Sequence, residues 1–122
     1  MAVFTGASSQ VAHLVLQATG LLDAFAVAVT GDEVTRQQPH PNGSVRACAQ
    51  LGAAPQAAAD VCDAPADLEA ARRAGALAVA AGWGHQHRQA ALARSSWTSP
   101  TICSTLLVMQ DLWVSECALQ AR

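Results

Sequence analysis

Two carboxylates stand four residues apart in Val61-Cys62-Asp63-Ala64-Pro65-Ala66-Asp67, where an apolar run gives way to a helix-like pattern. Two acids at the mouth of a strand-to-helix turn repel each other unless something cationic lies between them. A metal ion is one such cation. The same residues also suit a helix N-terminus, where a carboxylate meets the positive end of the macrodipole. The spacing alone leaves both readings open. Other candidates are scattered. Thr5 ends a short apolar run and by itself reads as a turn or cap residue. His85 and His87, in GWGHQHRQ, are two apart, which would let them chelate a soft metal on a strand or stand exposed in a loop. Cys62 adjoins the acid pair and raises the question of a reactive thiol.

The elements that position these residues follow from apolar runs and breakers. Ala2–Phe4 reads as a buried strand closed by Thr5-Gly6. Ser8 or Ser9 can cap a helix with Val11, Leu14, Val15 and Ala18 on one face, ended by Gly20. Phe25–Val29 is a second strand, and Pro39 and Pro41 hold the polar stretch 31–43 out of helix. A second helix is expected from about Gly43 to Leu51, a third strand over Ala58–Cys62, a third helix over Ala66–Ala74 and a fourth strand over Leu77–Ala81. Strands alternating with single helices imply an α/β fold with a parallel sheet and right-handed crossovers. Chemistry in such sheets gathers at the carboxyl ends of the strands. Those ends offer Thr5, the stretch 30–41, and Asp63 with Asp67.

Composition narrows the function. The 122 residues suit one domain with a real core. Alanine makes up nearly a quarter of them, so helices are expected to pack close to the sheet. A net charge of -2 argues against a nucleic-acid surface. No stretch reaches the roughly 18 uninterrupted apolar residues of a membrane span. Met1–Phe4 lacks the basic start of a signal peptide. Cys48, Cys62, Cys103 and Cys117 form no C-x-x-C pair, so the thiols are read as reduced and the protein as cytoplasmic, a disulfide framework being the alternative. All seven cationic side chains are arginine.

Three of these strand ends resemble the haloacid dehalogenase-like hydrolases, most closely the β-phosphoglucomutase and sugar-phosphatase branch. AVFTGASSQVAHLVLQATGLLDAF is similar to the family's second motif, a strand ending in Thr or Ser. VTGDEVTRQQPHPNGSVRACAQLG resembles the third-motif region, usually Arg-Gly-Lys-Pro-x-Pro before a helix. VCDAPADLEAARRAGALAVA resembles the fourth, usually Glu-Asp-Ser-x-x-Gly before an Ala-rich helix. The resemblance spans residues 2–94 and implies a partial Rossmann-like three-layer α/β/α sandwich, mostly parallel, lacking the first strand and the cap. It implies Mg2+-dependent hydrolysis of a small phosphorylated metabolite such as a sugar phosphate. It assigns phosphate contact to Thr5, the place of the family lysine to Gln38, and metal binding to Asp63 and Asp67.

The departures bear on activity. The family's nucleophile lies in Asp-x-Asp-x-Thr, and no Asp-x-Asp occurs here. Gln38 stands where a lysine is usual and carries no charge; Arg36 is nearby, with a stiffer fork. Cys62 replaces a glutamate, while Asp67 stands where glycine is usual and restores a carboxylate pair that a hard ion prefers to a thiol. His40 falls in the Pro-x-Pro slot and reads as structural, and Cys48 as core. Weak or absent hydrolysis by this chain is therefore expected.

After residue 94 the character changes, so residues 1–94 are read as the partial hydrolase core and 95–122 as an atypical tail, with a short strand near Ile102–Val108. Back-translating SWTSPTICST with GC-rich codons and reading from the last base of the Ser96 codon returns Val-Asp-Val-Ala-Asp-Asp-Leu-Leu-Asp, close to the family's ending. A slipped reading frame near Ser95 is one expectation. The alternative to an enzyme is a non-catalytic binding or oligomerisation module, because a truncated sheet exposes an edge. Such a module would pair with a separately encoded N-terminal half or with itself.

Overall fold

The computed structural model describes residues 1–81, 95–97 and 107–110. Six strands form one sheet: β1 (Ala2–Phe4), β2 (Val27–Val29), β3 (Ala59–Cys62), β4 (Leu77–Ala81), β5 (Ser95–Trp97) and β6 (Leu107–Gln110). Their order is β2-β1-β6-β3-β4-β5, and every pairing is parallel. Three helices connect the first four strands: α1 (Ser9–Ala18), α2 (Asn42–Gln50) and α3 (Pro65–Ala74). The α/β class expected from the sequence is the one observed. Two segments beyond residue 94 are paired into this sheet, and β6 lies at its centre, between β1 and β3.

Helix α2 packs on β1, β2 and α3, and α3 packs on β3 and β4, which sets both on one face. The path from β1 to β2 runs along the sheet in the opposite sense to that from β3 to β4. Right-handed crossovers therefore put α1 on the other face, giving three layers. Strand alternation sorts the core accordingly. Ala2, Phe4 and Val29 meet Ala47 and Cys48 of α2, and Cys62, Ala78 and Ala80 meet Leu68 and Ala71 of α3. Ala59, Val61, Val79 and Ala81 form a separate cluster. The small side chains permit the close approach: Gly43 in α2 has no Cβ because the Phe4 ring occupies that space.

Local signals set the boundaries closely from residue 59 to residue 81. Pro65 occupies the first turn of α3, where its missing N–H costs nothing. Arg72 and Arg73 lie in its last turn, and Gly75 closes it with φ of 86°. Helix α1 departs from expectation. Its buried residues are Ala12 and Leu16, while Val11, Leu14, Val15 and Ala18 are exposed. The apolar residues of the segment spread over more than half its circumference, opposite Gln10, His13 and Gln17, so the pattern did not select which part of that arc is buried. Ser8 sits at the N-cap position without a side-chain cap hydrogen bond. Strand β2 is also shorter than expected, Val27–Val29, and a 3-10 turn at Leu22–Ala24 precedes it. Among the described residues no helix is long and apolar enough to cross a membrane.

Candidate functional site

Because all six strands are parallel, their carboxyl ends share one rim. Phe4 pairs with Val29 and with Gln110, while Met109 pairs with both Val3 and Val61. Residues 3 and 61 are therefore level, and so are Thr5 and Asp63, two positions further along. Thr30 lies level with Thr5 on its other side. The rim thus brings Thr5 and Asp63 to the same height with one strand between them, a separation of about 10 Å at the usual interstrand spacing.

Thr5 is half-buried and follows β1 directly. Its N–H donates to the Val29 carbonyl at 3.0 Å, and its Oγ1 accepts from the Ala7 N–H at 3.2 Å. That second bond is a turn contact, and it leaves the hydroxyl proton available. Asp63 and Asp67 flank the start of α3 and are 2% and 4% exposed. Both act electrostatically on the Cys62 thiol, as does Asp60. Burial and these three carboxylates push that thiol far above the ordinary range. Cys62 packs among Leu68, Ala71, Ala78 and Ala80. It is therefore a core thiol that its surroundings hold in the neutral form, which argues against a reactive nucleophile. Burial also raises the Cys48 thiol, with a further push from Asp60. Both cysteines are free.

Gln38 is half-buried, and its Nε2 is fully enclosed with no hydrogen-bond acceptor among the described residues. Leaving such a donor unmatched costs about 1–3 kcal/mol. Its loop is anchored on both sides. Arg73 of α3 donates from Nη1 to the Pro39 carbonyl at 3.2 Å and from Nε to Glu69 at 2.9 Å. The Gly31 N–H donates to the Ala7 carbonyl at 2.8 Å, so the loops after β1 and β2 touch through their backbones. A Cβ at Gly31 would collide with the Gly6 carbonyl, so this approach requires glycine. Arg36 is exposed, with Nη1 3.5 Å from His40 Nε2. His40 Nδ1 in turn accepts from the Asn42 N–H at 3.3 Å, a structural contact at the start of α2.

Two residues that the sequence reading did not single out tie distant elements together, Asp32 at this rim and Asp60 within the sheet below it. The Asp32 carboxylate accepts from the Ser9 N–H at 3.1 Å, from the Ser9 hydroxyl at 2.7 Å and from the Thr30 hydroxyl at 2.5 Å. It therefore caps α1 from 23 residues away. The Thr30 hydroxyl first, and then Ser9, hold its carboxyl at about 2. Asp60, wholly buried in β3, accepts from the Ser44 hydroxyl of α2 at 2.8 Å. An aspartate inside the apolar run AADVC was the only signal that pointed to it.

Asp63 and Asp67 are both buried, four residues apart at the start of α3, and carboxylate oxygen is the donor type a hard cation takes. Mg2+ commonly takes one or two carboxylates and completes its shell with water and phosphate. Among the described residues no group of three or more His, Cys, Asp or Glu converges as a fuller cage. His85, His87, Cys103 and Cys117 lie outside the described residues.

Comparison with known proteins agrees with this arrangement. Residues 1–81 match the family model described as haloacid dehalogenase-like hydrolase. The chain is 30% identical over 83 residues to a phosphoglycolate phosphatase of Nitrosococcus oceani, covering 68% of this chain and 37% of that protein. A HAD-superfamily hydrolase of subfamily IA, variant 1, from Geobacter sulfurreducens superposes with a TM-score of 0.61 at 30% identity, over 65% of this chain and 37% of that one. A β-phosphoglucomutase from Clostridium difficile shares the fold with a TM-score of 0.66 at 22% identity, over 81% of this chain and 43% of that one. The chain spans well under half the length of each of these relatives. With residues 1–81, two thirds of the sequence, matched by that family model, the chain belongs to the haloacid dehalogenase-like hydrolases.

Proposed function

We propose that this chain carries the phosphate-holding and metal-holding side of a phosphomonoesterase site for a small phosphorylated metabolite such as a sugar phosphate. The observation that carries the reading is the shared height of Thr5 and Asp63 on one rim, about 10 Å apart across β6. In this reading the Thr5 hydroxyl donates to a phosphoryl oxygen. The enclosed Gln38 amide donates to another, which gives its orphan N–H an acceptor. Asp63 and Asp67 hold Mg2+, which offsets the phosphate's negative charge when bound. The Arg73–Pro39 and Gly31–Ala7 bonds keep the three loops at fixed separation.

Hydrolysis by this chain is expected to be weak or absent. No Asp-x-Asp supplies a nucleophile with its acid partner, and Gln38 brings hydrogen bonds without the positive charge a lysine would add. Turnover of p-nitrophenyl phosphate with Mg2+ tests this. The wild-type chain is expected to match a Thr5→Ala/Asp63→Asn double variant. Turnover well above that variant refutes the inactivity. Binding is tested separately: Mg2+ with inorganic phosphate is expected to raise the melting temperature of the wild type. An equal rise in an Asp63→Asn/Asp67→Asn variant removes the site.

A further inference from the structure

Arg36 stands apart from the other described arginines. Arg46 meets Glu33 at 3.6 Å, and Arg72 and Arg73 meet Glu69 at 3.7 Å and 2.9 Å. Arg36 has no carboxylate partner among the described residues; its Nη1 stands against His40 Nε2 at 3.5 Å. The acids of its own loop are engaged elsewhere. Asp32 accepts from Ser9 and Thr30, while Glu33 accepts from Thr30 and pairs with Arg46. Arg73 brings a second guanidinium to the Pro39 carbonyl, next to His40 in the chain.

The His40 ring turns this contact into a conflict between donors. Its Nδ1 accepts from the Asn42 N–H at 3.3 Å. A neutral imidazole has one bare nitrogen and one N–H, so Nε2 carries the proton. Nε2–H and the Arg36 Nη1 group are then two donors 3.5 Å apart, and neither can accept from the other. The opposite tautomer only moves the conflict, because Nδ1–H would face the Asn42 N–H at 3.3 Å. That N–H is fixed in the backbone of the first turn of α2, where it has no intrahelical acceptor. The exposed Arg36 head can turn, so the tautomer with a bare Nδ1 prevails. One acceptor placed between Arg36 and Nε2–H satisfies both donors at once. A charged oxygen suits that place best, since hydrogen bonds to an ionised group are roughly twice as strong as neutral ones.

We propose that Arg36 and His40 form an oxyanion site on the loop after β2, taking a carboxylate or phosphoryl oxygen between the guanidinium and Nε2–H. Two sources share that chemistry: a free inorganic anion, or a second anionic group on a ligand whose phosphate is held at Thr5. The second source rests on the proposed phosphate site, and the first does not. Long-range proton–nitrogen correlation spectra of the full chain test the site, the His40 ring signals being those lost in His40→Gln. The expected ring is protonated at Nε2 and bare at Nδ1. Inorganic phosphate without Mg2+ probes the first source. A saturable shift of the His40 signals is expected, kept in Asp63→Asn/Asp67→Asn and weakened about tenfold or more in Arg36→Ala. Phosphoglycerate with Mg2+ probes the second source. A shift larger than glycerol phosphate gives, and lost in Asp63→Asn/Asp67→Asn, assigns the site to the carboxylate of a ligand seated at the rim. A ring protonated at Nδ1 overturns the proposal. So does the absence of a shift with both probes, or a shift that Arg36→Ala leaves unchanged.

Discussion

Gly43→Ala sets two physical effects against each other and predicts which prevails. Gly43 lies in the first turn of α2, and helix propensity alone favours alanine there by up to about 1 kcal/mol. Packing opposes the change. A Cβ at Gly43 would come closer than 3.0 Å to three atoms of the Phe4 ring, where ordinary contact is 3.4–4 Å. Phe4 is wholly buried among Val29, Ala47, Cys48 and Ala58, so the ring has no solvent side to yield toward. The helix must lift instead. Overpacking of this kind costs about 1–3 kcal/mol. Lifting α2 also stretches the buried Ser44–Asp60 hydrogen bond at the next residue, worth about 1 kcal/mol or more because its acceptor is a carboxylate. The expected net loss is about 2 kcal/mol, which at a typical urea m-value lowers the unfolding midpoint by about 1 M. Far-UV circular dichroism in urea measures it. Phe4→Leu shortens the obstructing side chain, so the Gly43→Ala/Phe4→Leu pair is expected to be more stable than the two single losses added, by about 1 kcal/mol. A neutral or stabilising Gly43→Ala, or strictly additive losses, would refute the packing argument.

Two further perturbations address the rim and the core. Asp32 has its carboxyl lowered from 3.8 to about 2 by Thr30 and Ser9, so the contact stabilises the fold fully above 3.8 and is lost as pH falls toward 2. Asp32→Asn is therefore expected to melt lower than wild type at pH 7, with the gap narrowing across that acid window; a gap independent of pH contradicts the assignment. Ser44→Ala takes a donor from the buried Asp60 carboxylate and is expected to cost about 1–3 kcal/mol in urea unfolding, whereas a change under 0.5 kcal/mol would show that the bond is not needed.

How much was legible in the sequence follows from the range of each signal. β3, α3 and β4 were read to within a residue because Pro65, Gly75 and the flanking apolar runs act locally. The buried face of α1 was misread, because Val11, Leu14 and Val15 are as apolar as Leu16 and only the sheet distinguishes them. The Asp32 cap was invisible because it joins residues 23 apart, and DE in a polar loop ordinarily reads as a solvated pair. Asp60 carried a sequence signal, a lone acid in an apolar strand, but no sequence spacing connects it to Ser44.

By itself the sequence determined the alternation of strands and helices and the family. It also determined which residues stand at strand ends, since apolar runs, turn residues and short motifs are written in consecutive positions. Only the tertiary structure decided that those ends share one rim at one height, that backbone and carboxylate bonds tie their loops together, and that β6 separates Thr5 from Asp63. Strand order and register arise from pairings between distant segments, which no local pattern encodes.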